Sequence, residues 1–165
     1  MFPPAPELGV LRLATLADIP RIAVVAASGF YHSSWFHYER PYYEKFPLDT
    51  LASYRNSYRN AISNKNAIVL VAEDTLNRSE KDSVYGALAE SYPSFEEQIP
   101  DEHLKAGKAI VAVASFSLLP DSQRSGQFQP KDPEHYDPPD DPQDRDKDPL
   151  ASDLMDKTLH PRETE

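Results

Sequence analysis

Residues 10–46, VLRLATLADIPRIAVVAASGFYHSSWFHYERPYYEKF, decide the fold of the chain. Val10 to Ala14 reads as a short apolar strand. A helix follows, and its start has two readings. Thr15 caps it with Asp18 completing a capping box, or Asp18 caps it with Pro20 in the first turn. In both registers Ile19, Ile22, Ala26 and Phe30 recur at helical spacing and face a core, and Gly29 is the expected terminator. The segment that follows is crowded with aromatics: Phe30, Tyr31, His32, Trp35, Phe36, His37, Tyr38, Tyr42 and Tyr43.

Outward from this stretch, a second helix starts after Phe46-Pro47 with Asp49 or Thr50 as its cap. Leu51, Tyr54, Tyr58 and Ile62 form its apolar stripe, while Arg55 and Arg59 mark a solvated face. Ala67 to Ala72 is a continuous β-branched run and reads as a strand buried on both faces, as does Ala109 to Leu118. Between them, 75–108 is a polar insertion with a short helix over 83–92 halted by Pro93. The expected sheet is short and mostly antiparallel, with 67–74 central between 10–14 and 109–118. Helices over 16–29 and 49–62 pack on it, and with only two such helices one face stays thinly covered.

The charge is unevenly divided. The chain carries a formal net charge of −10, and residues 121–165 hold 13 Asp and Glu against 6 Lys and Arg. That span also has 7 of the 16 prolines and two aromatics, Phe128 and Tyr136. Such a composition buries too little apolar surface to offset its ordering entropy. Residues 1–120 are therefore read as the folded unit and 121–165 as a disordered acidic segment. Residues 121–148 are expected to lack regular structure and to touch the core little, with one weak helix over 149–159.

An acidic chain without basic clusters argues against nucleic acid and anionic membranes as partners. There is no cysteine, hence no disulfide, thiolate metal site or Cys nucleophile. MFPPAPELG has neither a basic nor an apolar signal region, and no apolar run is long enough to span a bilayer. The expected location is the cytoplasm or nucleus.

The order strand, capped helix, aromatic segment, with Arg12-Leu-Ala14-Thr15 running to Asp18-Ile-Pro20, resembles the opening of the GNAT superfamily of N-acetyltransferases. The run Gly29-Phe-Tyr-His-Ser33 with Arg40-Pro-Tyr-Tyr43 and Asp49-Thr-Leu-Ala-Ser-Tyr-Arg55 is similar to a subgroup common in fungi. The resemblance implies an α/β fold of which residues 8–120 form the N-terminal half, acetyl-CoA as cofactor and an amine as acceptor. It also implies that the aromatic segment shapes the acceptor groove, giving Phe30, His32, Trp35 and Tyr38 as substrate-binding candidates, while on the residues alone the same aromatics read as ordinary core packed under the second helix. Asp144-Arg-Asp-Lys-Asp-Pro149 resembles a Pro- and Asp-rich insertion of that subgroup, located before the strand that leads to the cofactor loop.

That loop needs closely spaced glycines, so that backbone amides approach phosphate. The five glycines stand at 9, 29, 86, 107 and 126, and no two are near enough. Gln123-Arg-Ser-Gly-Gln127 has one glycine, without a strand before it or a helix after it. The sequence thus assigns no cofactor-binding residue and no metal site, since His32 and His37 lack ligand spacing. Glu73 and Asp74 at a strand end are the carboxylates open to a proton-accepting role, or to capping a turn.

Two functions follow as expectations. One is an acetyltransferase-family chain that is incomplete and inactive by itself. The other is a non-catalytic module that binds other proteins through the tail or the 109–118 edge. Ala109 to Leu118 carries no charge or proline, and an apolar edge of this kind pairs with other chains. Self-association through it is expected.

Overall fold

Leu11–Leu13 (β1), Ala67–Thr75 (β2) and Lys108–Ser117 (β3) form an antiparallel sheet in the order β1-β2-β3. The computed structural model describes residues 10–130 and 143–159. Leu13 stands opposite Leu70, and Leu70 opposite Ala114, so three strands share one apolar row. The central strand is the one that was expected, and every pairing is antiparallel.

The Thr15–Asp18 box is realised, whereas Asp18 stands before α1 without capping it, since its carboxylate is turned back to Thr15 and Arg12. The Thr15 amide and hydroxyl bond Asp18 Oδ2 at 2.7 and 3.0 Å, closing a single tight turn over 16–18. Ile19–Phe30 (α1) then begins with Pro20 in its first turn, where no donor is lost. Gly29 does not end this helix, which runs on through Phe30. The second long helix is Pro47–Ser63 (α3), two residues earlier than expected, with Phe46 at the cap position. Asp49 and Thr50 are buried in its first turn and bond to a distant segment rather than capping.

One face of the sheet carries the core. Ala14, Ile19, Ile22, Ala26, Tyr58, Ile62, Val69, Val71 and Ile110 pack together between α1, α3 and the strands. The opposite face is thinly covered, as the shortage of helices required. Leu11 and Leu13 are exposed there, Ile68 and Leu70 half-buried, and Phe116 is 53% exposed. The two-sided burial expected for β3 is therefore absent. From Val111 onward only Val113 in the strand and Leu118 just past it are even half-buried, because β3 lies at the sheet edge and α1 covers only its beginning.

Between Ala72 and Glu73 the partner jumps from Ala112 to Ile110, leaving Val111 as the extra residue of a bulge. Ala109 and Ile110, just before the bulge and on opposite sides of the strand, are both buried. Gly107 sits just before the strand at φ +66°, a conformation side chains disfavour. Its carbonyl accepts the Leu76 amide at 2.8 Å and closes the end of the ladder.

Residues 76–107 hold Gly86–Glu90 (α4), Phe95–Gln98 (α5) and Asp101–Lys105 (α6). This insertion is anchored, not loose. Buried Arg21 of α1 donates from Nε to the Ile110 carbonyl at 2.8 Å and from Nη2 to Glu80 at 2.8 Å. Its Nη1 reaches Glu80, Gln98 at 3.0 Å and Tyr92 at 3.3 Å. Burial pushes the Glu80 carboxyl up, but the bonds from Arg21 and Tyr92 outweigh it and leave the carboxyl below its ordinary value.

The expectation that 121–148 touches the core little is also corrected. Its described parts, 121–130 and 143–148, do lack regular structure, but both are docked. Gly126 donates to the Lys65 carbonyl at 2.8 Å, and Gln129 to the Ala67 carbonyl at 3.1 Å. Asp146 is 0% exposed. Composition counts charges as a cost, and here they are paired in the interior.

Acid is expected to unfold the protein from several places at once. Asp18, Glu80 and Asp49 are all held below their ordinary values. A carboxyl lowered in the folded state adds stability above its unfolded pKa of about 4 and loses it as pH falls through the folded value. Urea unfolding at pH 7, 5 and 3 should show stability nearly level between the first two and dropping sharply at the third.

Candidate functional site

The aromatic segment expected as a loop contains a short helix, Ser34–Glu39 (α2), started by Ser33, whose Oγ accepts the Trp35 amide at 3.2 Å. A helix of this length sorts its aromatics by face. Phe36 turns inward and joins Tyr31, Tyr43 and Tyr85, with Tyr31 stacked on Tyr85 at 4.3 Å. Trp35 and Tyr38, one turn apart, turn outward and meet edge-to-face at 6.3 Å.

Pro149–Leu159 (α7) lies alongside and brings Leu154 to the same spot. Ser34, Trp35, Tyr38 and Leu154 line an open groove of about 450 Å³. Trp35, Tyr38 and Leu154 are 52%, 49% and 53% exposed. Among the described residues no ionised group lines it. It fits an apolar or aromatic body, whose cation would be favoured over the ring faces.

The other two sequence candidates lie elsewhere. Phe30, expected to face the core, is half exposed and stacks on Tyr54 at 5.8 Å. His32 borders a separate cleft of about 380 Å³ with Arg21, Ser28, Glu80 and Val111. The structure brings Trp35 and Tyr38 together and leaves Phe30 and His32 out.

A polar cluster stands at the other end of the sheet. Arg12 donates to Asp18 at 2.6 and 2.8 Å and to Glu73 at 2.7 Å. His103 Nδ1 lies 3.4 Å from Glu73 Oε1, beside a cavity of about 570 Å³ that includes Arg12, Asp18 and His103. Burial pushes the Asp18 carboxyl up, and the bonds from Arg12 and Thr15 outweigh it and hold it low. Glu73 thus spends its carboxylate on Arg12, and Asp74 spends its own on the Thr75 amide at 2.7 Å. That amide belongs to β2 itself, so Asp74 caps no turn by it, and neither carboxylate is unengaged. Sequence reasoning missed His103 because it lies on a four-turn insertion with no spacing signal.

No cradle for a pyrophosphate exists among the described residues. Around Gly126, the amides of Ser122, Ser125, Gly126 and Gln127 all donate to carbonyls of the chain. The four glycines there, at 29, 86, 107 and 126, are isolated from one another. No group of metal-ligating side chains is present among the described residues, and no helix there is long and apolar enough to cross a membrane.

An acetyltransferase of Stachybotrys chartarum is 41% identical to this chain over 127 residues, which is 77% of this chain and 43% of that protein. The chain therefore spans less than half the length of the curated relative it matches. No protein-family model matches the chain, and no solved structure matches it.

Proposed function

We propose that this chain is the acceptor-side part of an N-acetyltransferase of GNAT type, which in complete form moves an acetyl group from acetyl-CoA to an amine. The observation that carries the reading is the 41% identity to an acetyltransferase over most of this chain. It is supported by the antiparallel order β1-β2-β3 with α1 and α3 on one face, the arrangement implied by the resemblance of residues 8–120.

The described residues do not fit the cofactor. The amides around Gly126 are spent, and no second glycine is near. With no site for acetyl-CoA among the described residues, the chain is inactive by itself. What these residues do is bind and orient. Trp35 and Tyr38 offer two ring surfaces to the body of the amine, Leu154 closes one side, and among the described residues no charge in the groove competes for its ammonium. Calorimetric titration tests the reading in two arms. The native gene product containing this sequence should bind acetyl-CoA stoichiometrically, and this 165-residue chain should give no heat. Absence of binding by the native product overturns the assignment, and binding by the chain alone overturns its incompleteness.

The exposed edge of β3 favours a second reading. Val111, Phe116 and their neighbours present an apolar strand with no partner on its outer side among the described residues. Such an edge recruits a strand from another protein or another copy. In this reading the module has no catalytic role. Sedimentation showing a stable monomer at high concentration would exclude self-association through it.

A further inference from the structure

The wall that α7 gives the aromatic groove is held in place from a distance. Asp146 Oδ2 accepts Arg40 Nη1 at 2.5 Å and the Thr50 hydroxyl at 2.7 Å, entirely out of solvent. Arg40 in turn donates to Ser53 at 3.0 Å and lies over the Tyr54 ring at 4.9 Å. The Asp146 carbonyl accepts the Tyr42 amide at 3.1 Å. Arg145 grips both oxygens of Asp49, at 2.8 and 2.7 Å, and its guanidinium lies over Phe46 at 4.7 Å. The Asp148 amide donates to the Glu39 carbonyl at 2.8 Å, and its carboxylate accepts the Leu150 amide at 2.8 Å. That carboxylate caps the first turn of α7, so α7 leaves this clasp with its direction fixed. Buried Ala151 seats the helix, and Leu154, one turn further on, arrives opposite Trp35 and Tyr38.

We infer that Leu154 determines which amines the Trp35–Tyr38 groove accepts, and that Asp146 is the positioning residue that sets Leu154 there. This rests on the acceptor-amine reading above. The accepted class is a monoamine with a flat aromatic ring, an arylalkylamine, rather than a polyamine. Among the described residues two rings, one isobutyl group and one hydroxyl line the groove, so a second or third ammonium finds no carboxylate among them. The net charge of −10 favours one cation near the surface without fixing where it sits. A ring between Trp35 and Leu154 gains from apolar burial on both of its faces.

Trp35 is the chain's one tryptophan, so its fluorescence reads this groove alone. Phenethylamine is expected to quench or shift Trp35 emission saturably, and spermidine at equal concentration to do so far less. Leu154→Ala should weaken phenethylamine about tenfold, the loss of roughly two buried methylenes of contact. Leu154→Glu should reverse the preference in favour of spermidine. Asp146→Asn and, separately, Asp148→Ala should red-shift Trp35 emission and weaken phenethylamine as Leu154→Ala does, with far-UV dichroism retained. If Asp146→Asn unfolds the chain, Asp148→Ala decides the positioning claim, because it loosens α7 without uncovering a buried charge. Equal phenethylamine affinity in the wild type and Leu154→Ala overturns the wall. Unchanged emission in the folded clasp variants overturns the positioning. Neither result bears on acetyl-CoA binding by the native product, so a failure here is distinct from a failure of the acetyltransferase reading.

Discussion

Arg21→Ala is expected to destabilise the protein by about 2–3 kcal/mol, less than stripping a fully buried ion pair because Glu80 keeps part of its side chain in solvent. Glu80, Gln98 and the Ile110 carbonyl all lose their donor at once. The loss is local before it is global. Amide exchange in 80–99 should accelerate well before exchange in β2, since Arg21 is the polar anchor of this insertion to α1, beside the packing of Tyr85 and Leu88 against Ala23, Val24 and Ala27. Arg21→Lys should recover little, because a single ammonium cannot serve a bidentate carboxylate, an amide oxygen and a carbonyl in their separate directions. Urea unfolding measures the first effect, and a cost below about 1 kcal/mol would show that Glu80 and Gln98 find water instead.

Ile22→Ala should cost about 2–5 kcal/mol, and Ile22→Val about 0.5–1.5 kcal/mol. Ile22 is fully buried on α1, in the cluster that joins Ile62 of α3 and Val69 and Val71 of β2. Truncation there opens a cavity between both long helices and the central strand, with no flexible side chain at hand to fill it. Thermal unfolding followed by circular dichroism should rank the two variants in that order. A similar truncation at Phe116, half exposed on the open face, should cost far less, and equal losses at the two sites would mean that the sheet is covered on both sides.

The periodic parts of the fold were legible in the sequence. Ile19, Ile22 and Ala26 repeat at helical spacing, and β2 is a run of β-branched residues, so their places follow from local chemistry. What stayed hidden is long-range and polar. Asp146 finds Arg40 across 106 residues, and Arg21 finds Glu80 across 59. No local pattern marks either pair, and a tail rich in Asp looks the same whether its carboxylates are solvated or matched to a buried guanidinium. Phe30 shows a second limit. It sits on the helical repeat of the core, yet it lies in the last turn of α1 beyond the reach of the sheet, so periodicity gave its direction and not its cover. The candidate site divides the same way. Trp35 and Tyr38 were visible as aromatics, but Leu154 joins them only because the clasp at Asp146 delivers α7 to α2.

The bulge at Val111 gives β3 one residue of slack. Removing that single codon would leave Ile110 opposite Glu73 and Ala112 opposite Ala72, as they stand now, and would restore plain alternation through the strand. Val111 is 48% exposed, so its loss takes nothing from the core. A gap of one position inside this strand, between 110 and 112, is thus a legitimate alignment of a homologous sequence and need not be pushed into a neighbouring loop. A gap inside β2 has no such place to go, because the bulged residue belongs to the other strand.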